Sequence, residues 1–168
     1  MSYRFELLAR THDREDFDCG VPELNTYLSR QARLDMERDV AATFVLADEA
    51  NPRVIAGYYT LSAFTVIGTE LPEAWRKKLP RYPRLPATLL GRLARDIHYP
   101  GVGKLLLLDA LRRSYALRTQ IASLAVVAEA KDERARGFYL HFGFLPLGDD
   151  PRRVFIPMGV IAQLGLGH

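Results

Sequence analysis

The stretch that decides the fold is 87–117, ATLLGRLARDIHYPGVGKLLLLDALRRSYAL. Its first part, 87–97, is a mainly apolar stretch of a length that predicts a buried β-strand. Gly101 and Gly103 follow and interrupt the pattern, as turn residues do. The last part, 104–117, is strongly apolar and long enough for a helix. A strand, a glycine loop and a helix in this order predict an α/β domain.

The glycine loop is a candidate anion site. A glycine turn at the start of a helix exposes successive backbone N–H groups beside the positive end of the helix dipole. A phosphate fits such a loop, although many strand-to-helix turns use glycine for steric reasons alone. The loop has neither the GxxxxGK[ST] nor the GxGxxG pattern. This absence argues against nucleotide hydrolysis and dinucleotide redox chemistry.

The remaining elements follow from hydrophobic periodicity and from turn residues. The predicted strands are 3–8, 43–47, 54–67, 87–97, 121–128, 144–147 and 154–158, and the predicted helices are 22–38, 104–117 and 132–142. A long loop containing Pro72, Pro80, Pro83 and Pro86 is predicted before the fourth strand. The fold class is therefore α/β, with a mixed central sheet flanked by helices in the order β-α-β-β-β-α-β-α-β-β.

Length and composition predict one ordinary globular domain over 1–168. The chain has 48% hydrophobic and 26% charged residues, without the low hydrophobicity of disordered chains. Its one cysteine, Cys19, has no partner for a disulfide and no accompanying His and Asp pattern for a cysteine hydrolase. No clustered His or Cys spacing indicates a metal site, and no apolar run approaches the roughly 18 residues of a membrane span. We expect a cytoplasmic protein without metal or membrane association.

A basic segment over 76–95 is a candidate binding surface. The whole chain is only mildly basic, with a net charge of +3, but this segment has seven basic residues and no acidic one. They are Arg76, Lys77, Lys78, Arg81, Arg84, Arg92 and Arg95. Such a cluster can follow the phosphates of a nucleic acid. A solvated basic loop without a ligand is the alternative, and composition does not decide between the two.

Four segments together resemble the GNAT superfamily of N-acetyltransferases. They are LGRLARD (90–96), HYPGVG (98–103), LLLLDAL (105–111) and ARGFYLHFGF (135–144). FDCG (17–20), GYYTLS (57–62) and LPRYPRLP (79–86) resemble one branch more closely, the GNAT toxins of toxin–antitoxin pairs. Members of that branch acetylate the α-amino group of aminoacyl-tRNA. The resemblance runs over nearly the whole chain and implies an acetyl-CoA-dependent enzyme.

The resemblance places the cofactor on the glycine loop and the strand before it. The superfamily motif Gln/Arg-x-x-Gly-x-Gly/Ala falls on 98–103, where both glycines match, His98 replaces Gln or Arg, and Pro100 removes one backbone N–H. The backbone of 93–95 is implied to pair with the pantetheine arm. The implied cofactor-binding residues are Leu93, Ala94, Arg95, His98, Gly101, Val102, Gly103, Lys104 and Phe138.

Tyr139 is the implied general acid, and a core aromatic residue is its alternative. Attack of an amine on a thioester expels a thiolate whose pKa is about 8.5, and a phenol of pKa about 10 can protonate it at a penalty of about 2 kcal/mol. Glu129 ranks lower, either as a carboxylate that steers or deprotonates the amine or as a solvated strand end. His141 is expected on another face of the same helix.

The resemblance also implies a substrate and partners. Aminoacyl-tRNA is the expected substrate, and a ribbon-helix-helix antitoxin is expected to mask the basic surface; a homodimer is a further expectation. The implied tRNA surface consists of Arg76, Lys77, Lys78, Arg81, Arg84 and Arg92. Two alternatives stay open: an N-acetyltransferase of a small amine or peptide, and a non-catalytic module that binds acetyl-CoA.

Overall fold

The elements are described over residues 2–166 of a computed structural model. The strands are β1 (Tyr3–Leu7), β2 (Ala42–Asp48), β3 (Asn51–Ile67), β4 (Arg84–Arg95), β5 (Ala125–Glu129), β6 (Leu145–Pro146) and β7 (Arg153–Pro157). The helices are α1 (Pro22–Thr26), α2 (Ala32–Glu37), α3 (Glu73–Arg76), α4 (Val102–Leu117), α5 (Glu133–His141) and α6 (Met158–Gln163). A π-helical segment, Tyr27–Gln31, joins α1 to α2, and a 3-10 turn covers Gly68–Glu70.

The seven strands form one mixed sheet in the order β1-β2-β3-β4-β5-β7-β6. Strands β1, β2 and β3 pair in antiparallel fashion, as do β5, β7 and β6. Strand β4 pairs with β5 in parallel, because α4 carries the chain back between them. The predicted α/β class, mixed sheet and order of the main elements are confirmed.

The structure adds two short helices and moves several predicted boundaries. Helices α3 and α6 were not predicted, since four and six residues are too few to show a helical period. Pro86 is wrongly assigned to a loop: it lies inside β4, and its carbonyl accepts the Leu124 N–H at 3.0 Å. Strand β5 begins at Ala125 rather than at 121, because Ile121 lies on an exposed turn.

Packing divides the chain into two compact units. The first contains Met1–Ser62 and Gly91–Ala110, and the second contains Ala63–Leu90 and Leu111–His168. The single domain over 1–168 stays a prediction. Within residues 2–166, no helix has the length and apolar character that crossing a membrane requires.

The core of the first unit forms around Tyr58. This side chain is fully buried, meets Phe17 edge-on with 5.4 Å between ring centres, and donates a hydrogen bond from its hydroxyl to the Leu24 carbonyl at 2.7 Å. The turn after Phe17 is closed by Asn25, whose Oδ1 accepts the Cys19 N–H at 2.9 Å. Cys19 therefore lies in a structural turn.

The core of the second unit contains Val66, Leu85, Val127 and Phe155, all buried. Helix α5 belongs to this unit and has the predicted cap and stop residues. The Asp132 side chain accepts the Ala135 N–H at 2.8 Å, which caps the helix start. Gly143 follows the helix at φ +99°, a left-handed conformation that favours glycine.

Candidate active site

Strand β4 ends at a buried carboxylate that organises the glycine loop. Asp96 is 5% exposed. Its Oδ2 accepts the Asp18 N–H at 3.0 Å, and its Oδ1 accepts the His98 N–H at 2.8 Å. The Asp96 N–H donates to the Ala56 carbonyl at 2.9 Å. One side chain therefore connects the start of the loop to the turn after Phe17.

The glycine loop leads into α4 with open space in front of it. Gly101 has φ +88°, and a Cβ built on it would meet no atom within 4 Å. Helix α4 begins at the next residue, Val102, and the first N–H groups of a helix have no partner within the helix. Val102 is buried, whereas Gly101 and Lys104 are exposed. These features fit a phosphate group, as the sequence predicts.

His98 differs from the usual motif residue, and its partner is Asp96. The imidazole Nδ1 lies 2.7 Å from Asp96 Oδ1, while 75% of the side chain is exposed. The same carboxylate oxygen therefore holds both the backbone and the ring of His98. Sequence reasoning missed Asp96, although a lone acidic residue directly after an apolar strand was a usable signal.

The predicted pantetheine strand, 93–95, is the last part of β4. The register with β5 covers Thr88, Leu89 and Leu90, and β4 continues beyond it to Arg95. Ala94 is buried, and by the alternation of a strand Leu93 and Arg95 point to the opposite face, where both are half-buried. A strand segment beyond its register offers backbone N–H and C=O groups to an extended ligand.

Tyr139 lies in the second unit, on α5, and is 5% exposed. Its ring packs against Phe138 and Phe144, with ring centres 5.6 and 5.1 Å away. Its hydroxyl makes no hydrogen bond with any residue of 2–166. Burial raises the pKa of the Tyr139 phenol above its ordinary value, so the hydroxyl keeps its proton at neutral pH.

The two lesser candidates are solvent-facing. Glu129 is exposed at the end of β5, where it lies in register with Arg153. His141 is exposed at the end of α5, and its ring meets Phe142 at 5.2 Å. Exposure of His141 and burial of Tyr139 confirm that the two residues lie on different faces of the helix.

The structure divides the predicted tRNA surface. Five of its residues are exposed in the second unit: Arg76, Lys77, Lys78, Arg81 and Arg84. Arg92 is half-buried in the first unit, where its guanidinium carbon lies 3.5 Å from the centre of the Tyr27 ring. The Tyr27 hydroxyl donates to Asp35 Oδ2 at 2.7 Å. Sequence reasoning did not anticipate this Arg92–Tyr27–Asp35 cluster.

Metal ligands are not grouped in the described part of the chain. Within 2–166, no three His, Cys, Asp or Glu side chains are placed so that they could hold a metal ion.

Replacing Gly101 by alanine is expected to lower the unfolding free energy of the protein and to weaken its binding of CoA. Alanine at φ +88° costs about 1 kcal/mol of unfolding free energy, and its methyl group enters the open space in front of the loop. Gly137→Ala is the matched control: Gly137 lies inside α5 with nothing near its Cβ position, so alanine there should raise the unfolding free energy by about 1 kcal/mol. Denaturant unfolding and calorimetric titration with CoA measure both effects, and equal stability of the two variants would contradict the loop assignment.

Comparisons with known proteins identify relatives over most of the chain, although no family model matches it. It is 30% identical to the tRNA-acetylating toxin of Mycobacterium tuberculosis, over 89% of this chain and 90% of the relative. It is 28% identical to the probable toxin TacT of Sinorhizobium fredii, over 91% and 89% of the two chains.

Solved structures give the same result. A tyrosine-to-phenylalanine mutant of KacT superposes with a TM-score of 0.91 at 29% identity, over 98% of this chain and 99% of that one. AtaT complexed with acetyl-methionyl-tRNA has a TM-score of 0.89 at 29% identity, over 97% and 99%. A tyrosine-to-phenylalanine mutant of AtaT, bound to the C-terminus of the antitoxin AtaR and acetyl-CoA, has a TM-score of 0.82 at 25% identity, over 99% and 100%. The chain belongs to the GNAT toxins of toxin–antitoxin systems.

Proposed function

We propose that the protein is an N-acetyltransferase that uses acetyl-CoA to acetylate the α-amine of aminoacyl-tRNA, and that as a toxin it thereby blocks translation. The observation that carries the proposal is the open glycine loop at the start of α4, which fits a phosphate group. Relatives support the substrate, because AtaT was solved with acetyl-methionyl-tRNA and the mycobacterial relative is a tRNA-acetylating toxin.

The first unit supplies the residues that bind the cofactor. Backbone N–H groups of Val102, Gly103 and Lys104 bind the pyrophosphate at the positive end of α4, and the Lys104 ammonium adds a charge. His98 and Gly101 shape the loop, and the backbone of 93–95 orients the pantetheine arm. Acetyl-CoA supplies the activated acetyl group when it is bound.

The second unit supplies the acid. Tyr139 Oη holds the proton that the departing thiolate requires, and Phe138 beside it lines the cofactor site. Burial makes the phenol a weaker acid, but exclusion of water raises the pKa of the thiol in the same way, so the proton transfer stays feasible. The structures of relatives as tyrosine-to-phenylalanine mutants support a tyrosine in this role.

The acceptor amine needs little help from a base. An α-amine has a pKa of about 8, so an appreciable fraction is neutral at pH 7. The candidate base, Glu129, is accordingly solvent-exposed.

The basic residues bind the polyanionic substrate and the antitoxin. The exposed cations of the second unit, together with Arg92, contact tRNA phosphates, and a ribbon-helix-helix antitoxin covers this surface when the toxin is silent. AtaT bound to the C-terminus of AtaR supports a partner of this kind. The protein acts in the cytoplasm, where charged tRNA is found. We also propose that it forms a homodimer.

Transfer of labelled acetyl from acetyl-CoA tests the proposal. Label is expected on a charged total-tRNA pool and not on the same pool after deacylation. The apparent affinity should fall steeply with salt, by about 0.9 in log–log slope for each phosphate contacted. Label on small amines or peptides instead would identify a different acetyltransferase, and acetyl-CoA binding without any transfer would identify a non-catalytic module.

A further inference from the structure

A groove of about 560 Å³ lies within the second unit. It is formed by the end of β3, helix α3 and the segment that leads into β4. Ile67, Leu79 and Leu85 supply apolar lining. Its volume lies in the range of roughly 300–1,000 Å³ that is common for small-ligand sites. The predicted chemistry of acetyl transfer does not use this groove.

The groove is positively charged. Arg76, Lys77 and Arg81 line it, and Glu73 is its acidic residue. Arg76 is the last residue of α3, where a cation also stabilises the negative end of the helix dipole. Arg81 lies beyond the helix, so its charge does not stabilise the helix end. No ion pair with a residue of 2–166 neutralises these cations. The groove therefore favours an anionic ligand.

Tyr82 gives the groove an aromatic surface. The side chain is 64% exposed and lines the groove, and it makes no ring contact or hydrogen bond within 2–166. Its backbone is fixed, because the Gly68 N–H donates to the Pro83 carbonyl at 3.0 Å and a Cβ on Gly68 would lie 3.1 Å from the Tyr82 carbonyl oxygen. An exposed aromatic ring on an anchored backbone, beside cations, is the arrangement on which unpaired bases stack.

We infer that this groove binds an unpaired nucleotide of the tRNA, with its base on the Tyr82 ring and its phosphates beside Lys77 and Arg81. The inference rests on the proposed function, which brings a tRNA with an unpaired 3′ end to the protein. A duplex would use the cations and leave Tyr82 without a partner, because its bases are stacked inside. The carboxylates of an acidic peptide would likewise pair with the cations, but they provide no ring that stacks on Tyr82.

Fluorescence anisotropy with labelled RNA tests the groove. Single-stranded RNA and a duplex of equal length are titrated against the full-length protein and its variants. Tyr82→Ala is expected to weaken binding of the single strand on the order of ten-fold, and Tyr82→Phe much less, because the ring remains. Duplex binding should change little with either variant. The Tyr82 side chain is exposed, so neither change threatens the fold.

Lys77 and Lys78 form a matched pair, since they are adjacent and both exposed. Lys77 lines the groove, whereas the Lys78 ammonium lies 5.2 Å from the centre of the Trp75 ring and outside the groove. Lys77→Ala should weaken single-strand binding several-fold more than Lys78→Ala does. Equal losses would mean a diffuse charge effect and would overturn the groove assignment.

Acetyl transfer separates failure of the groove from failure of the proposed function. The ratio of transfer to aminoacyl-tRNA over transfer to a small α-amino ester should fall about ten-fold in Tyr82→Ala. An unchanged ratio overturns the groove and leaves the enzyme intact, while no transfer to either acceptor by the wild type overturns both. If groove variants lose binding of a poly-glutamate peptide and keep that of single-stranded RNA, the groove is a peptide site and the inference is wrong.

Discussion

Tyr139→Phe is expected to lower the rate of acetyl transfer to charged tRNA by about 10²–10⁴-fold, the usual contribution of a general acid. The phenol loses only its hydroxyl, which has no hydrogen-bond partner within 2–166, so the packing against Phe138 and Phe144 should persist. Unfolding free energy and acetyl-CoA affinity should therefore stay close to those of the wild type. Single-turnover transfer rates, measured with saturating cofactor, give the effect directly.

A second tyrosine provides the control for this substitution. Tyr115 lies on α4, and its hydroxyl accepts a hydrogen bond from the Arg118 guanidinium at 3.0 Å. Tyr115→Phe should leave the transfer rate unchanged. A Tyr139→Phe enzyme with at least a tenth of the wild-type rate would remove Tyr139 from the chemical step and leave it as a core residue.

The pH dependence of acetyl transfer should also identify Tyr139 as the general acid. Burial raises the pKa of Tyr139 above its ordinary value of about 10, so the acid stays protonated throughout the neutral range. The wild-type rate should rise as the pH increases towards the amine pKa of about 8. At any pH lower than about 10, the rate should show no decline from loss of the acid's proton. A decline centred between pH 7 and 9 would indicate a different acid.

Asp96→Ala is expected to lower the unfolding free energy by about 3 kcal/mol and to abolish tight binding of acetyl-CoA. The substitution removes a buried carboxylate that accepts the N–H groups of Asp18 and His98, and loss of a hydrogen bond to a charged group costs roughly 1.5–3 kcal/mol. It also releases the start of the glycine loop from the turn after Phe17. Denaturant unfolding and calorimetric titration measure the two effects.

Asp150 offers a more exposed counterpart for comparison. Its carboxylate accepts the Arg152 N–H at 2.9 Å and contacts the Arg152 guanidinium at 3.0 Å, a similar set of bonds near the surface. Asp150→Ala should cost less than about 1 kcal/mol, because solvent replaces the lost partners. Comparable losses in both variants would show that burial of Asp96 does not matter. Asp96→Asn, which keeps one acceptor oxygen, should fall between alanine and the wild type.

The order of the main elements was predictable because it is encoded locally. Apolar runs, the turn at Gly101 and the cap at Asp132 are short-range signals, and each of them has the predicted structure. Gly103 was predicted in the loop but lies inside α4, which begins at Val102. The ends of the elements and the single-turn helices were harder to predict from the sequence. Pro86 breaks a local pattern, yet it fits inside β4 because its carbonyl still bonds to Leu124.

The supporting contacts of the site were not predictable, since they join residues far apart in sequence. Asp96 accepts from Asp18, 78 positions away, and Arg92 lies on Tyr27. The groove at Tyr82 likewise depends on how α3 and the segment before β4 pack, which no periodicity reveals. The sequence predicts which residues contact the ligand, and the structure adds the contacts that position them.

The π-helical segment has a consequence for how this chain can evolve. In a regular α-helix, Tyr27 and Asp35 would point about 80° apart, but one residue absorbed by a π turn brings them to within about 20°. That alignment allows the 2.7 Å hydrogen bond between them, with Arg92 on the same ring. A one-residue deletion here would restore an ideal helix and break the cluster. We therefore expect exposed positions such as Arg30 to exchange side chains freely, whereas Tyr27 and the length of the segment should be retained.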